Sequence, residues 1–214
     1  MNFLPSLPIF LAYTAACVLL FATPGPDMSL FLSRTIGSGR AAGIASAIGA
    51  NVGCVVHTLL AVFGISALIA ASQTGFLILK IVGAGYLLWL ALDAIRHGSS
   101  LNVSTKNGTH TGVGRSFIMG IMVNLTNPKV VIFFITFLPQ FITAGDPFIR
   151  QKLLFFGLYF VALSVPLSIA TILVADRLVD WLKARPKVLR GIDFTFAGVF
   201  ALFALKIAFT QGRG

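Results

Sequence analysis

Six stretches of the chain, at approximately 8–33, 42–70, 75–95, 116–138, 152–175 and 191–210, stay apolar for twenty residues or more. That is the length an α-helix needs to cross the hydrocarbon core of a bilayer. Helices are the expected solution, because lipid offers nothing for unpaired backbone groups to bond. Composition agrees. Of the 214 residues 57% are hydrophobic and only 10% charged, against about 25% charged in soluble domains. The net charge of +10 suggests no nucleic-acid partner, because the basic residues fall between the apolar stretches and not along one face. The predicted fold is an all-α polytopic membrane protein.

Orientation follows from the Lys and Arg in the connections, which concentrate on the cytoplasmic side. The first, third and fifth connections hold ten, including Arg34 and Arg40, Arg96 and Arg115, and five between Arg177 and Arg190. The second and fourth connections and the tail hold three, Arg150, Lys152 and Arg213. Both termini are therefore expected outside, with Trp181 as an interfacial anchor. The first ten residues have no Lys or Arg, so the first apolar stretch is read as a retained span and not a signal peptide. Lys80 and Lys206 fall near outer helix ends and are expected to snorkel.

The polar segment 97–115 reads as a cytoplasmic linker between two halves, 1–96 and 116–214, of one transporter domain. Three spans per half is an odd number, so the second half is inverted, as in many carriers. A shift of 102 residues places Pro26-Asp27 on Pro128-Lys129 and Phe31 on Phe133. These matches are too few to establish a repeat by themselves. Gly39, Gly43, Gly49 and Gly53 are spaced for close helix packing in the second span. Pro166 is expected to kink the fifth.

Two spans are interrupted. The first contains Thr23-Pro24-Gly25-Pro26-Asp27 and the fourth Asn124-Leu125-Thr126-Asn127-Pro128-Lys129. Proline lacks the N–H of the helical ladder and clashes with the preceding turn, so both helices should break. Pro26 and Pro128 can each start a new half-helix, where a missing N–H costs nothing. Thr23, Asn124 and Asn127 are candidates to cap the exposed amides. Gly25 is expected to keep side chains away from the unwound backbone. Asp27 precedes Arg34 by seven residues, about 10 Å of helix. A charge at such depth costs roughly 2.5–3.5 kcal/mol, and an Asp27–Lys129 pair would offset part of it. That pair is either a static pin or a binding site for a polar substrate.

TPGPD in the first span, the glycine-rich second span and NPKVVIFFITFLPQF in the fourth resemble the LysE/RhtB family of bacterial amino-acid exporters. The resemblance runs the length of the chain, and the Asp after PGP is more similar to the RhtB-type branch. It implies a multi-pass protein of the bacterial inner (cytoplasmic) membrane that exports amino acids, thought to be driven by the proton-motive force. It assigns functional weight to Pro24, Gly25, Pro26, Asp27, Asn127, Pro128 and Lys129.

A zwitterion has an ammonium for Asp27 and a carboxylate for Lys129 and the half-helix amides. Expected partners are thus an amino acid, protons and the bilayer, and the sequence allows a homodimer without requiring one. Proton antiport with alternating access needs a titrating group, and His57 in the second span titrates in the right range. Phe31, Phe133, Phe134 and Tyr86 are candidates to shape the pocket. No Cys/His cluster has metal-ligand spacing, no cofactor is implied, and the chain is read as a carrier and not an enzyme. Two alternatives are a membrane thiol-redox relay and a non-transporting scaffold. The relay wants a cysteine in each half, whereas Cys17 and Cys54 are both in the first.

Overall fold

The computed structural model of the protein describes residues 4–97, 111–143 and 146–211, and these are helical with no strand among them. Helix α1 (Leu7–Ala22) and α2 (Pro26–Ser38) meet at 51°. The backbone ladder stops at Thr23 N–H to Leu19 O (3.0 Å) and resumes with Ser29 N–H to Gly25 O (2.9 Å). Pro24 and Pro26 supply no N–H in between, so the interruption is a direct consequence of proline chemistry. Next come α3 (Arg40–Leu60), a π-helical turn at Ala61–Ile65, α4 (Ser66–Ala71) and α5 (Gln73–His97).

In the second half, α6 (Val113–Thr126) and α7 (Pro128–Ile132) form the other break. A π-helical turn (Phe133–Phe137) and a 3-10 turn (Leu138–Phe141) extend α7, and the bend at Asn127 is 53°. Then follow α8 (Ile149–Leu173), α9 (Ala175–Lys183) and α10 (Pro186–Gln211). All six apolar stretches are thus helical. Among the described residues, Arg40–Ile69 and Ile149–Leu173 are each long and apolar enough to cross a membrane, and each bent pair qualifies when taken together.

Several local features bear on these expectations. Helix α8 runs unbroken through Pro166. The fifth connection contains a helix, α9, which buries Ala175 and Val179 against Met28 and Leu32 of α2. Its Trp181 is exposed, with the Arg185 guanidinium 4.9 Å from the ring centre. Lys80 Nζ donates to Ile142 O at 3.1 Å and stands over the Phe76 ring. The Lys206 side chain and most of the 97–115 linker lie outside the described residues.

The glycines of the second span divide by role. Gly39 is the α2–α3 turn, at φ 88° with open space around it, a conformation that favours glycine. Gly43, Gly49 and Gly53 are close approaches. A Cβ at Gly49 would collide with Phe117 O of α6, and one at Gly120 of α6 would collide with Ser46 O of α3. The two helices therefore touch through backbone, each glycine against the residue three before the other. The most extensive helix contacts all join the two halves: α3 with α6, α5 with α10, and α3 with α8.

The core is aromatic. Tyr13, Phe133, Phe137 and Phe156 are all at most 1% exposed. The Tyr13 ring is tilted against Phe156 with centroids 4.6 Å apart, and its hydroxyl donates to Phe156 O at 2.9 Å. This cluster lies on the α1 side of the first break.

Candidate functional site

The two breaks converge on one cavity, bounded also by α3 and α8. Thr23, Gly25, Asp27, Asn124, Asn127 and Lys129 all line it. Pro24, Pro26 and Pro128 set the bends that bring them there. The elements explain the placement: Asp27 is in the first turn of α2 and Lys129 in the first turn of α7.

Asp27 and Lys129 do not form the direct ion pair that sequence reasoning anticipated. Lys129 Nζ donates to Thr23 O at 2.5 Å, a carbonyl from the turn that the first break interrupts. Asn124 Nδ2 donates to Asp27 Oδ2 at 2.8 Å. The exchange is reciprocal. The charge after each break is bonded to a residue just before the other break. Asp27 Oδ1 is buried with no hydrogen-bond partner, and an unsatisfied charged oxygen in such a place is costly.

Of the three proposed caps only Asn127 acts as one, its side chain accepting from Lys129 N at 3.1 Å. The hydroxyl of Thr23 turns back to Leu19 O (2.7 Å), a bond available within its own helix. Asn124 is committed to Asp27. Gly25 is extended (φ −169°) and a Cβ there would lie 3.5 Å from Lys129 Nζ, an ordinary contact. The glycine is thus required neither by its backbone angle nor by a clash; what it leaves open is the approach to Lys129.

His57 stands behind the cavity wall. It is 7% exposed, with Nε2 3.4 Å from Asn124 O and its ring stacked 5.6 Å from Phe134. Phe31 lines the cavity, but Phe133 and Phe134 belong to the buried core, and Tyr86 rests against Trp89. Cys17 and Cys54 are buried free thiols. No group of three potential metal ligands occurs among the described residues.

Sequence reasoning passed over four polar residues. Asn51, Ser164 and Ser168 line the cavity from α3 and α8. Asp193 of α10 is 1% exposed. An amide and a carboxylate inside apolar stretches were signals that could have flagged Asn51 and Asp193. Serines in a span carry no such signal.

Comparison with known proteins agrees with this architecture. The family model described as LysE type translocator matches residues 18–211. The homoserine/homoserine lactone efflux protein of Salmonella typhimurium is 30% identical over 197 residues, covering 92% of this chain and 94% of the relative. The leucine efflux protein of Salmonella choleraesuis is 30% identical over 137 residues, 63% of this chain and 64% of the relative. The membrane protein YahN of Escherichia coli is 27% identical over 90% of this chain and 85% of its own length. No solved structure matches the chain significantly.

Proposed function

The chain belongs to the LysE type translocator family, and from that premise we propose that it exports a zwitterionic amino acid, or a close derivative, from the cytoplasm through the cavity between its two helix breaks. The observation that carries this reading is a carboxylate and an ammonium in one cavity, held apart from each other, with Asp27 Oδ1 lacking any partner. A static pin would bring Asp27 and Lys129 together. In the proposed complex the substrate ammonium bonds Asp27 Oδ1, and the substrate carboxylate takes Lys129 Nζ from Thr23 O. Each bond made to a charged group is worth about 1.5–3 kcal/mol. The names of the relatives, homoserine and leucine efflux proteins, favour small uncharged side chains.

With both termini outside, the aromatic cluster around Tyr13 lies on the outer side of the cavity. The cavity lining extends the other way as far as Phe31 and Ser168. That arrangement suits a carrier closed to the outside. Export then requires α1, α7 and α8 to part at Tyr13, Phe137 and Phe156, an alternating access driven by rocking of one half on the other. Proton influx in exchange for substrate is the proposed drive, with His57 as the proposed carrier.

The test is export of each amino acid from cells loaded with dipeptides. The wild-type chain is expected to export neutral amino acids. Asp27→Asn and Lys129→Met should insert in normal amount and lower export by roughly 10- to 100-fold, the equivalent of one charged hydrogen bond. Normal export by either variant removes that residue from the site.

A further inference from the structure

The cavity has a second polar wall that the zwitterion's charged groups do not use. Asn51 of α3 and Ser164 and Ser168 of α8 line it, and all three are buried. Ser164 Oγ donates to Asn51 Oδ1, with Val161 O at 3.2 Å a second acceptor for the same hydrogen. Asn51 Nδ2 donates to Ala47 O at 2.9 Å, and Ser168 Oγ donates to Ser164 O at 2.7 Å. Because each hydroxyl has one hydrogen and an amide nitrogen has two, the inventory can be completed. Asn51 Nδ2 keeps one N–H, and the two serine oxygens keep their lone pairs. The wall therefore offers one donor and several acceptors, and no charge.

Its position is as informative as its chemistry. Cys54 follows Asn51 by three residues on α3, about one helical turn or ~5 Å. Its Sγ touches the Asn124 amide that holds Asp27. An amino acid anchored at Asp27 and Lys129 would thus reach this wall with its side chain. Apolar Phe31, Ala50 and Phe160 line the same cavity.

We propose that Asn51 and Ser164, with Ser168 beside them, form a subsite that reads a hydroxyl on the substrate side chain and so sets the specificity of the carrier. A hydroxyl both donates and accepts, and it satisfies a serine lone pair and the spare Asn51 N–H together. A methyl of the same size satisfies neither. A site built to bond a hydroxyl rejects the analogue lacking it, because buried polar groups are then left unpaired. A cationic or anionic side chain would find no counter-charge on this wall. The inference rests on the amino-acid export proposed above.

The experiment uses the full chain in cells, comparing export of isosteric pairs: homoserine with norvaline, and threonine with valine. Export is normalised to the amount of inserted protein. Wild type should favour the hydroxylated member of each pair. Asn51→Leu and Ser164→Ala should lower that preference about tenfold, the equivalent of one hydrogen bond. Ser164→Thr retains the hydroxyl and should retain the preference. Equal losses for both members of a pair would mean that these residues only hold α3 to α8, and would overturn the proposal. So would a wild type that treats the isosteres alike, while leaving amino-acid export intact. Export of none of these four amino acids by wild type would likewise overturn the proposal, and export of no amino acid at all would remove the parent reading with it.

Discussion

A proline, a glycine or a charge acts differently at depth in a bilayer than on a soluble surface, and Asp27 shows how. Its Oδ2 accepts from Asn124 while its Oδ1 has no partner, so the side chain is held but not neutralised. Lys129, bonded to Thr23 O, is in the same condition with opposite sign. The identity of each charge is tied to its place, since Asn124 presents an amide N–H to Asp27 and Thr23 presents a carbonyl to Lys129. The double variant Asp27→Lys with Lys129→Asp should therefore insert but not transport, because each new charge meets a protein group and a substrate group suited to the other. Export by the swapped chain, measured from loaded cells, would mean that net charge alone matters. Gly25 gives a graded companion test. Gly25→Ala adds a methyl at ordinary contact distance from Lys129 Nζ and should export within about threefold of wild type, a cost below ~1 kcal/mol. Gly25→Leu should block the approach to Lys129 and lower export by more than tenfold. These residues were legible in the sequence because proline chemistry and intramembrane charge are local signals. Their partners were not, since whether Lys129 meets Asp27 or a backbone carbonyl depends on a separation that only the assembled helices determine.

At the scale of elements, the α3–α6 crossing holds the site together, because α3 also carries Asn51 and α6 carries Asn124. Small residues let the backbones meet where van der Waals packing replaces the missing hydrophobic drive between membrane helices. At Gly49 and Gly120 the obstacle to any side chain is backbone, which cannot rotate aside. Gly49→Val and Gly120→Val should each separate the helices at a cost of about 1–3 kcal/mol or more. Thermal unfolding in detergent should show it as a lowered midpoint, and export should fall for every substrate alike. Gly39→Ala is a control of another kind, straining a left-handed turn by about 1–2 kcal/mol without touching α6. A Gly49→Val chain as stable as wild type would refute the reading of this crossing. The helix breaks were readable from TPGP and NP, whereas the facing of each span was not. A span apolar all round has no stripe to indicate its buried side. Hence Phe133 and Phe134, pocket candidates by proximity to Lys129 in sequence, prove to be core, and Ser164 and Ser168 of α8 went unnoticed. The amphipathic α9 was hidden for a different reason: its basic residues read as loop charge while Ala175 and Val179 made too short an apolar face.

For the whole molecule, function depends on which way the chain lies in the membrane and on what drives transport. The ten-to-three bias of Lys and Arg predicts that the odd-numbered connections face the cytoplasm. Fusions to a reporter active only there should work near positions 105 and 183 and fail near 73. Cytoplasmic activity at 73 would reverse the carrier, with the aromatic cluster around Tyr13 facing inward. Energy coupling builds on that orientation. A neutral zwitterion gains nothing from the membrane potential, whereas each charge moved gains about 2.3 kcal/mol per 100 mV. Exchange against an incoming proton, the proposed drive, would supply that charge and add the pH gradient. Collapsing the pH gradient at fixed potential should therefore slow net export of a neutral amino acid from loaded vesicles. His57 touches Asn124 O, and Asn124 in turn holds Asp27, so a change at His57 can reach the substrate site without His57 lining it. His57→Gln should then uncouple the fluxes: exchange of labelled for unlabelled amino acid continues, while gradient-driven accumulation is lost. Asp27→Asn should lose both, because the partner of the substrate ammonium is itself removed. Full gradient-driven transport by His57→Gln would assign that histidine to packing against Phe134, and the proton would have to be carried by a group inside the cavity.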